Sequence, residues 1–249
     1  MPMAGNFLSE LRQLLYPDGL KCIVCGREMR ESRYGLCDRC SFDLNGNYCR
    51  LCGRHKVGIG DYCGTCSEMS LHFDQARSSV MYSDNAKKTV HRLKYGSAAY
   101  LARHLGEFML DTLFSTDWTF DCFTYVPMYP RKQKKRGYNQ AELLAKAVAE
   151  HTTTPCMTIL EKTVDTPNQA RLTREERMKN IAGAFKAVTR PPEHVVLIDD
   201  VMTTGSTLSE CAKVLKKAGA KNVFALTFAS VPEQALTDKQ VINIRDFRR

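Results

Sequence analysis

The chain has 249 residues, of which 43% are apolar and 25% charged, enough to bury a full core in one or two domains. No apolar run approaches the roughly 18 residues of a membrane span, and a formal charge of +9 favours anionic partners such as nucleotides, nucleic acid or a membrane surface. Eight of the eleven cysteines stand in Cys-x-x-Cys pairs; as thiolates on two Zn2+ they would remove four charge units and leave about +5.

Residues 1–20 read as an N-terminal amphipathic helix, with Phe7, Leu8, Leu11, Leu14 and Leu15 on one face and Pro17 and Gly19 closing it. Its leucines are interrupted by Glu10, Arg12 and Gln13, unlike a secretory signal, so a cytoplasmic location is expected. Residues 21–70 form a cysteine-rich module. Its pairs are Cys22/Cys25, Cys37/Cys40, Cys49/Cys52 and Cys63/Cys66. Two cysteines on a tight turn can aim both sulfurs at one Zn2+, and two such turns complete a tetrahedral site. Cys22/Cys25 recurs as Cys49/Cys52 with a glycine directly after each pair, Gly26 and Gly53, and Cys37/Cys40 recurs as Cys63/Cys66. This repeat predicts two sequential ribbons, Cys22/Cys25/Cys37/Cys40 and Cys49/Cys52/Cys63/Cys66, rather than an interleaved cross-brace. With no coordination position left for water, both zinc sites are expected to be structural. Arg27, Arg30, Arg33, Arg39, Arg50, Arg54 and Lys56 read as exposed cations able to track phosphates, but acids are interleaved and aromatics few; nucleic-acid contact and partner docking both stay open.

From residue 71 to 249 strands and helices alternate, which predicts an α/β domain with a parallel sheet. A strand is expected over 77–82, helices over 85–94 and through Leu101, Leu105, Phe108, Met109 and Leu113, then a strand over 122–126. Lys94 has no assigned role, and His91 reads as part of a solvated face. After the strand, Pro127-Met128-Tyr129-Pro130 ends any ladder, and Arg131-Lys132-Gln133-Lys134-Lys135-Arg136 places five cations beside a strand end. Gly137-Tyr138-Asn139-Gln140 opens the next helix, with Asn139 as cap. The polar segment 165–180 reads as a mobile cover bringing Arg171 and Arg174 to a ligand, or as an ordinary surface loop and helix.

The strongest signal is Val195-Val196-Leu197-Ile198-Asp199-Asp200 followed by Val201-Met202-Thr203-Thr204-Gly205-Ser206-Thr207. Four apolar residues predict a strand buried on both faces, and ligand crevices of open α/β sheets lie at the carboxyl ends of such strands. The loop then opens a helix whose first amides are free to take phosphate, with Thr207 and Glu210 as an expected capping box. Two carboxylates can accept hydrogen bonds from vicinal ribose hydroxyls or hold Mg2+ on them, while the hydroxyl-rich loop surrounds a 5′-phosphate.

This stretch resembles the phosphoribosyl pyrophosphate (PRPP) signature of type I phosphoribosyltransferases. The resemblance implies that Asp199, Asp200, Thr203, Thr204, Gly205, Ser206 and Thr207 bind PRPP with Mg2+, and that Met128, Tyr129 and Arg131 lie in the loop gripping its pyrophosphate. With Leu15-Tyr16-Pro17, the two ribbons, His91-Arg92-Leu93-Lys94-Tyr95 and Arg136-Gly137-Tyr138-Asn139-Gln140, the whole chain resembles the ComF (ComFC) competence family. That resemblance implies a cytoplasmic protein, associated through partners with the inner membrane face, that serves uptake or handling of single-stranded DNA beside a helicase-like partner. It leaves open whether the domain is an active transferase or a non-catalytic binding scaffold. No acceptor-base pocket is legible in the sequence.

Overall fold

Val195, Val196, Leu197 and Ile198 are fully buried in strand β5 (His194–Met202) at the centre of the sheet around which the domain is built. The computed structural model describes residues 21–30, 32–68, 71–166 and 180–233. The helix expected within 1–20, the cover residues Arg171 and Arg174, and the basic C-terminal residues lie outside these. By internal contacts the chain divides into two units, 1–41 and 42–249. The first cysteine cluster belongs to the former, the second to the latter.

In the larger unit, helix α1 (Gly64–Glu68) precedes β1 (Gln75–Met81). Helices α2 (Asp84–Tyr95) and α3 (Leu101–Phe114) then lead to β2 (Cys122–Tyr125). Next come α4 (Pro130–Arg136), α5 (Gln140–Ala149) and the short antiparallel pair β3 (Leu160–Lys162) and β4 (Phe185–Ala187). Beyond β5, α6 (Ser206–Lys217) crosses to β6 (Asn222–Ser230). The main sheet has the order β1-β6-β5-β2 with every pair parallel. Parallel neighbours need crossovers that cover the sheet faces, which is why its central strands read as unbroken apolar runs.

Side chains alternate along β5. Val195 and Leu197 share a core with Leu208, Cys211, Ala212 and Leu215 of α6. Val196 and Ile198 face the other layer, where α3 and α5 pack on each other and α5 packs on β5 and β2. Gly106 allows the close approach of those helices, since a Cβ there would lie 2.9 Å from that of Ala147. Phe42, Phe108 and Phe228 interlock edge to face on the same side.

The 131–136 basic run, expected as a loop, is instead the two-turn helix α4. Pro130 at its first position and Gly137 at its end, in the left-handed region at φ 91°, supply the start and stop. The Thr207–Glu210 capping box is also replaced. Helix α6 begins after Gly205 (φ 79°) with no side-chain cap, and Glu210 accepts the Gly183 N–H at 3.0 Å instead.

Candidate functional site

The β5 alternation that builds the core also sorts the two carboxylates at its end. Asp200, on the side of Val196 and Ile198, is 3% exposed and meets Lys94 of α2, whose Nζ lies 2.6 Å from Oδ2. Asp200 Oδ1 accepts the Val201 N–H, and Asp199 Oδ1 accepts the Asp200 N–H. Asp199 faces the α6 side, where its charge adds to burial in raising the Cys211 thiol. Burial, and then the neighbouring Asp200 charge, push Asp199 up to about 8, with Lys94 pulling the other way. For Lys94, burial works downward, but Asp200 more than offsets it and its pKa ends above the ordinary lysine value.

The role of Lys94 was open from its position in the chain, and two motifs explain how it is placed. Leu93 is fully buried, anchoring the last turn of α2. From Arg136-Gly137-Tyr138-Asn139-Gln140, Tyr138 donates its hydroxyl to the Leu93 carbonyl and Arg136 lies over the Tyr95 ring at 5.0 Å while donating to Gln140. Asn139 caps α5 by accepting from Ala141 and donates its amide to the Val126 carbonyl. The motif thus fixes both the Lys94 turn and the start of the β2–α4 loop. Because β2 runs parallel beside β5, with the Val126 N–H donating to Ile198, Met128, Tyr129 and Arg131 emerge at the same sheet end as Asp199 and Asp200. Tyr129 sits at the N-cap of α4, and the half-exposed His91 ring lies tilted at 45° to the Tyr95 ring, 4.8 Å between centroids.

In the loop after β5, Thr204 and Ser206 are buried with their hydroxyls 2.8 Å apart, each occupying the other. Thr203 and Thr207 are half-buried, and Thr207 lines a cavity of about 730 Å³. The same cavity is walled by Lys94, Tyr95, Lys132, Lys135, Arg136 and Lys162. Lys132 reaches across to Asp165 at 2.8 Å and to the Thr166 carbonyl. Burial, followed by the Lys132 charge, lowers the pKa of Lys162. Cations that repel one another around a cavity define a place for a multiply charged anion.

The cysteines group as the repeat predicts: Cys22, Cys25, Cys37 and Cys40 in one cluster, Cys49, Cys52, Cys63 and Cys66 in the other, with the sulfurs of each within 4.8 Å of one another. The contacts Cys25–Cys37 and Cys52–Cys63 measure 3.7 Å. Four ligands at Zn–S bonds of 2.3 Å stand about 3.8 Å apart in a regular tetrahedron, so both clusters fit zinc. Two of the seven basic ribbon residues expected on the surface are buried, Arg54 at 0% and Lys56 at 7% exposure; the other five are exposed.

The double zinc ribbon domain family matches residues 11–67, and the phosphoribosyl transferase domain family matches residues 141–247. Fold and clusters therefore define a double zinc ribbon protein carrying a phosphoribosyltransferase domain. The chain is 28% identical to "Competence protein F" of Haemophilus influenzae over 214 residues, covering 82% of this chain and 93% of that one. It is 29% identical to "DNA utilization protein YhgH" of Salmonella typhimurium (81% and 93%) and 24% to "Competence protein ComFC" of Streptococcus pneumoniae (82% and 97%). The two domain matches and these relatives together support the ComF family. A crystal structure of TT1426 from Thermus thermophilus overlaps 53% of this chain and 84% of its own at 15% identity and a TM-score of 0.33.

Proposed function

We propose that this protein binds PRPP with Mg2+ at the carboxyl end of β5 and acts in the handling of single-stranded DNA during competence. The observation that carries the reading is the convergence at one sheet end of Asp199, Asp200, the Gly205-capped start of α6 and a cavity walled by five cations. Asp199 and Asp200 would receive the ribose hydroxyls, and the first-turn amides of α6 with Thr203 and Thr207 the 5′-phosphate. Lys132, Lys162 and the residues at the head of α4, Met128, Tyr129 and Arg131, would face the diphosphate. The donor set suits Mg2+, which favours a carboxylate or two and otherwise keeps phosphate and water oxygens. When bound with the diphosphate, Mg2+ would supply charge neutralisation for its departure. The chain's own part is to orient the ribose from below and to hold cations where negative charge develops on the leaving oxygens.

Calorimetric titration with PRPP, with and without Mg2+, tests this directly. Micromolar Mg2+-dependent binding, roughly −8 kcal/mol, is expected, with weaker binding by Asp200→Asn. Equal affinity in that variant would remove Asp200 from the site.

A second reading keeps the fold as a non-catalytic scaffold for DNA. It is favoured by Arg131, Lys132, Lys134 and Lys135 of α4, all exposed and more numerous than one sugar phosphate needs. Its mark is strongly salt-dependent binding of single-stranded DNA that weakens when Lys132, Lys134 and Lys135 are replaced together. An unchanged salt slope in the triple variant would count against it.

A further inference from the structure

The two ribbon turns repeat each other so closely that the first serves as a control for the second. Cys22 N–H donates to the Arg27 carbonyl and Gly26 N–H to Cys22; 27 residues on, Cys49 donates to Arg54 and Gly53 to Cys49, each at 2.8 Å. Gly26 and Gly53 share the left-handed conformation, at φ 71° and 67°. The side chains then diverge. Arg27 is exposed, whereas Arg54 is fully buried. A Cβ on Gly26 would meet nothing within 4 Å, but one on Gly53 would lie 2.3 Å from the Ala76 carbonyl oxygen of β1. The second turn is pressed onto the sheet, and its arginine goes inside.

A guanidinium does not lose its charge on burial, so it needs an anion or a full set of acceptors. Arg54 has neither among the described side chains. Its Nε and Nη1 have no hydrogen-bond partner, and Nη2 donates at 3.3 Å to the carbonyl of Thr204, in the loop between β5 and α6. The anionic neighbour is the second cluster. Arg54 stands two residues after Cys52, and its carbonyl accepts the Cys49 N–H at 2.8 Å, so it sits on the turn that carries two of the four sulfurs. Four thiolates on one Zn2+ leave two negative charges there, which is the counter-charge this buried cation requires.

We infer that Arg54 is a positioning residue that couples the second zinc cluster to the phosphate loop: the zinc-thiolate charge holds the guanidinium, and the guanidinium holds the Thr204 carbonyl. In a trans peptide the C=O and N–H point in opposite directions, so clamping Thr204 C=O fixes the Gly205 N–H facing away from Arg54. Gly205, at φ 79°, is the residue type that would otherwise let this peptide turn over. By linkage, a ligand held on the loop tightens zinc in the second cluster, and loss of that zinc loosens the loop. The ligand half of this statement rests on the sugar-phosphate reading; the zinc-to-loop half does not.

The experiment uses the full chain with two zinc ions bound, as wild type, Arg54→Met and Arg54→Lys. Hydrogen exchange of the 201–207 amides is read first. Arg54→Met, with both zinc ions still bound by metal analysis, should exchange there about tenfold faster, and Arg54→Lys, which keeps the charge, should fall between. Cys66→Ser should speed the same amides and Cys40→Ser, in the first cluster, should not. Zinc release to a chelator is then followed with and without PRPP and Mg2+; the ligand should slow one of two phases about tenfold in wild type and neither in Arg54→Met. Wild-type exchange in zinc-replete Arg54→Met overturns the positioning role. PRPP that binds by calorimetry yet leaves both phases unchanged overturns the coupling. If PRPP does not bind and Arg54→Met still loosens the loop, the sugar-phosphate reading fails and the positioning role stands.

Discussion

Lys94→Met is the most informative single change, because it strips a buried carboxylate of its counter-charge without touching the signature. At the observed 2.6 Å, two unit charges attract by about 6 kcal/mol with an effective dielectric of 20, before desolvation is counted. Removing one partner of a buried pair costs about 3–5 kcal/mol; the Lys94 side chain keeps 25% of its exposure, so water can replace part of its role and about 2–3 kcal/mol is expected. For a unit of this size that is a fall in Tm of about 5–10 °C. Asp200→Asn leaves the cation able to turn toward water and should cost about 1 kcal/mol. The double variant should then cost about 2 kcal/mol less than the sum of the single effects, read as a coupling energy from urea unfolding. Since the Lys94 pKa is raised, the pair's contribution is fully present below the unfolded lysine value and is lost only as pH rises past it, so the coupling should be flat from pH 6 to 9. A coupling under about 0.5 kcal/mol would refute the claim that this contact organises the crevice floor.

Three further outcomes follow from the same geometry. Asp199, held near 8, is mostly protonated at pH 7, so binding of PRPP and Mg2+ should release close to one proton, seen as a dependence of the calorimetric enthalpy on buffer ionisation; no dependence would mean Asp199 stays out of the ligand shell. Its raised pKa also means that stability falls as pH rises from about 4 toward 8, the window in which the folded protein holds the extra proton. Lys162, lowered by burial and by Lys132, should be acetylated at pH 8 ahead of Lys213 and Lys216, and pyrophosphate should protect it; modification unaffected by pyrophosphate would place the anion elsewhere. Gly53→Ala combines a left-handed φ with a clash on the Ala76 carbonyl, so it should destabilise the larger unit by at least about 2 kcal/mol, while Gly26→Ala, with open space, should cost only the conformational term of about 1–2 kcal/mol; equal effects by thermal unfolding would contradict the packing of the second turn.

What was legible in the sequence is what local pattern encodes. Val195–Ile198 could only be a strand buried on both faces, and two Cys-x-x-Cys turns at a 27-residue repeat fix the cluster pairing because each turn must aim both sulfurs one way. Helix α4 was legible in principle, from Pro130 and Gly137, but five cations in six residues argued more loudly for a loop. Lys94 stands in the His91–Tyr95 motif, but its ion pair was not legible, because its partner Asp200 is brought to it by tertiary packing of α2 beside the end of β5. Arg54 shows the limit most clearly. It occupies the same place in its turn as Arg27, with the same backbone bonds, yet one is on the surface and one inside, and only the sheet packed against Gly53 decides which. The three-residue strand β3 is too short to show the alternation that marks longer strands.

The cations of the crevice divide by depth, and that division bears on which anion they serve. Lys94 and Lys162 are partly buried at the floor, one paired with Asp200 and the other beside Phe185, whereas Lys134 and Lys135 stand exposed along α4. A small, densely charged diphosphate can satisfy the floor, where screening by salt is weak; a polymer backbone is too extended to enter and would engage the outer row, where screening is strong. PRPP and single-stranded DNA therefore need not compete for the same residues. Binding of PRPP should change little between 50 and 200 mM salt and should survive replacement of Lys134 and Lys135, while DNA binding should fall steeply over that range and depend on both. If PRPP affinity followed the steep salt slope instead, its phosphates would be held by the outer row, and the floor cations would be structural partners of Asp200 and the core rather than part of a ligand site.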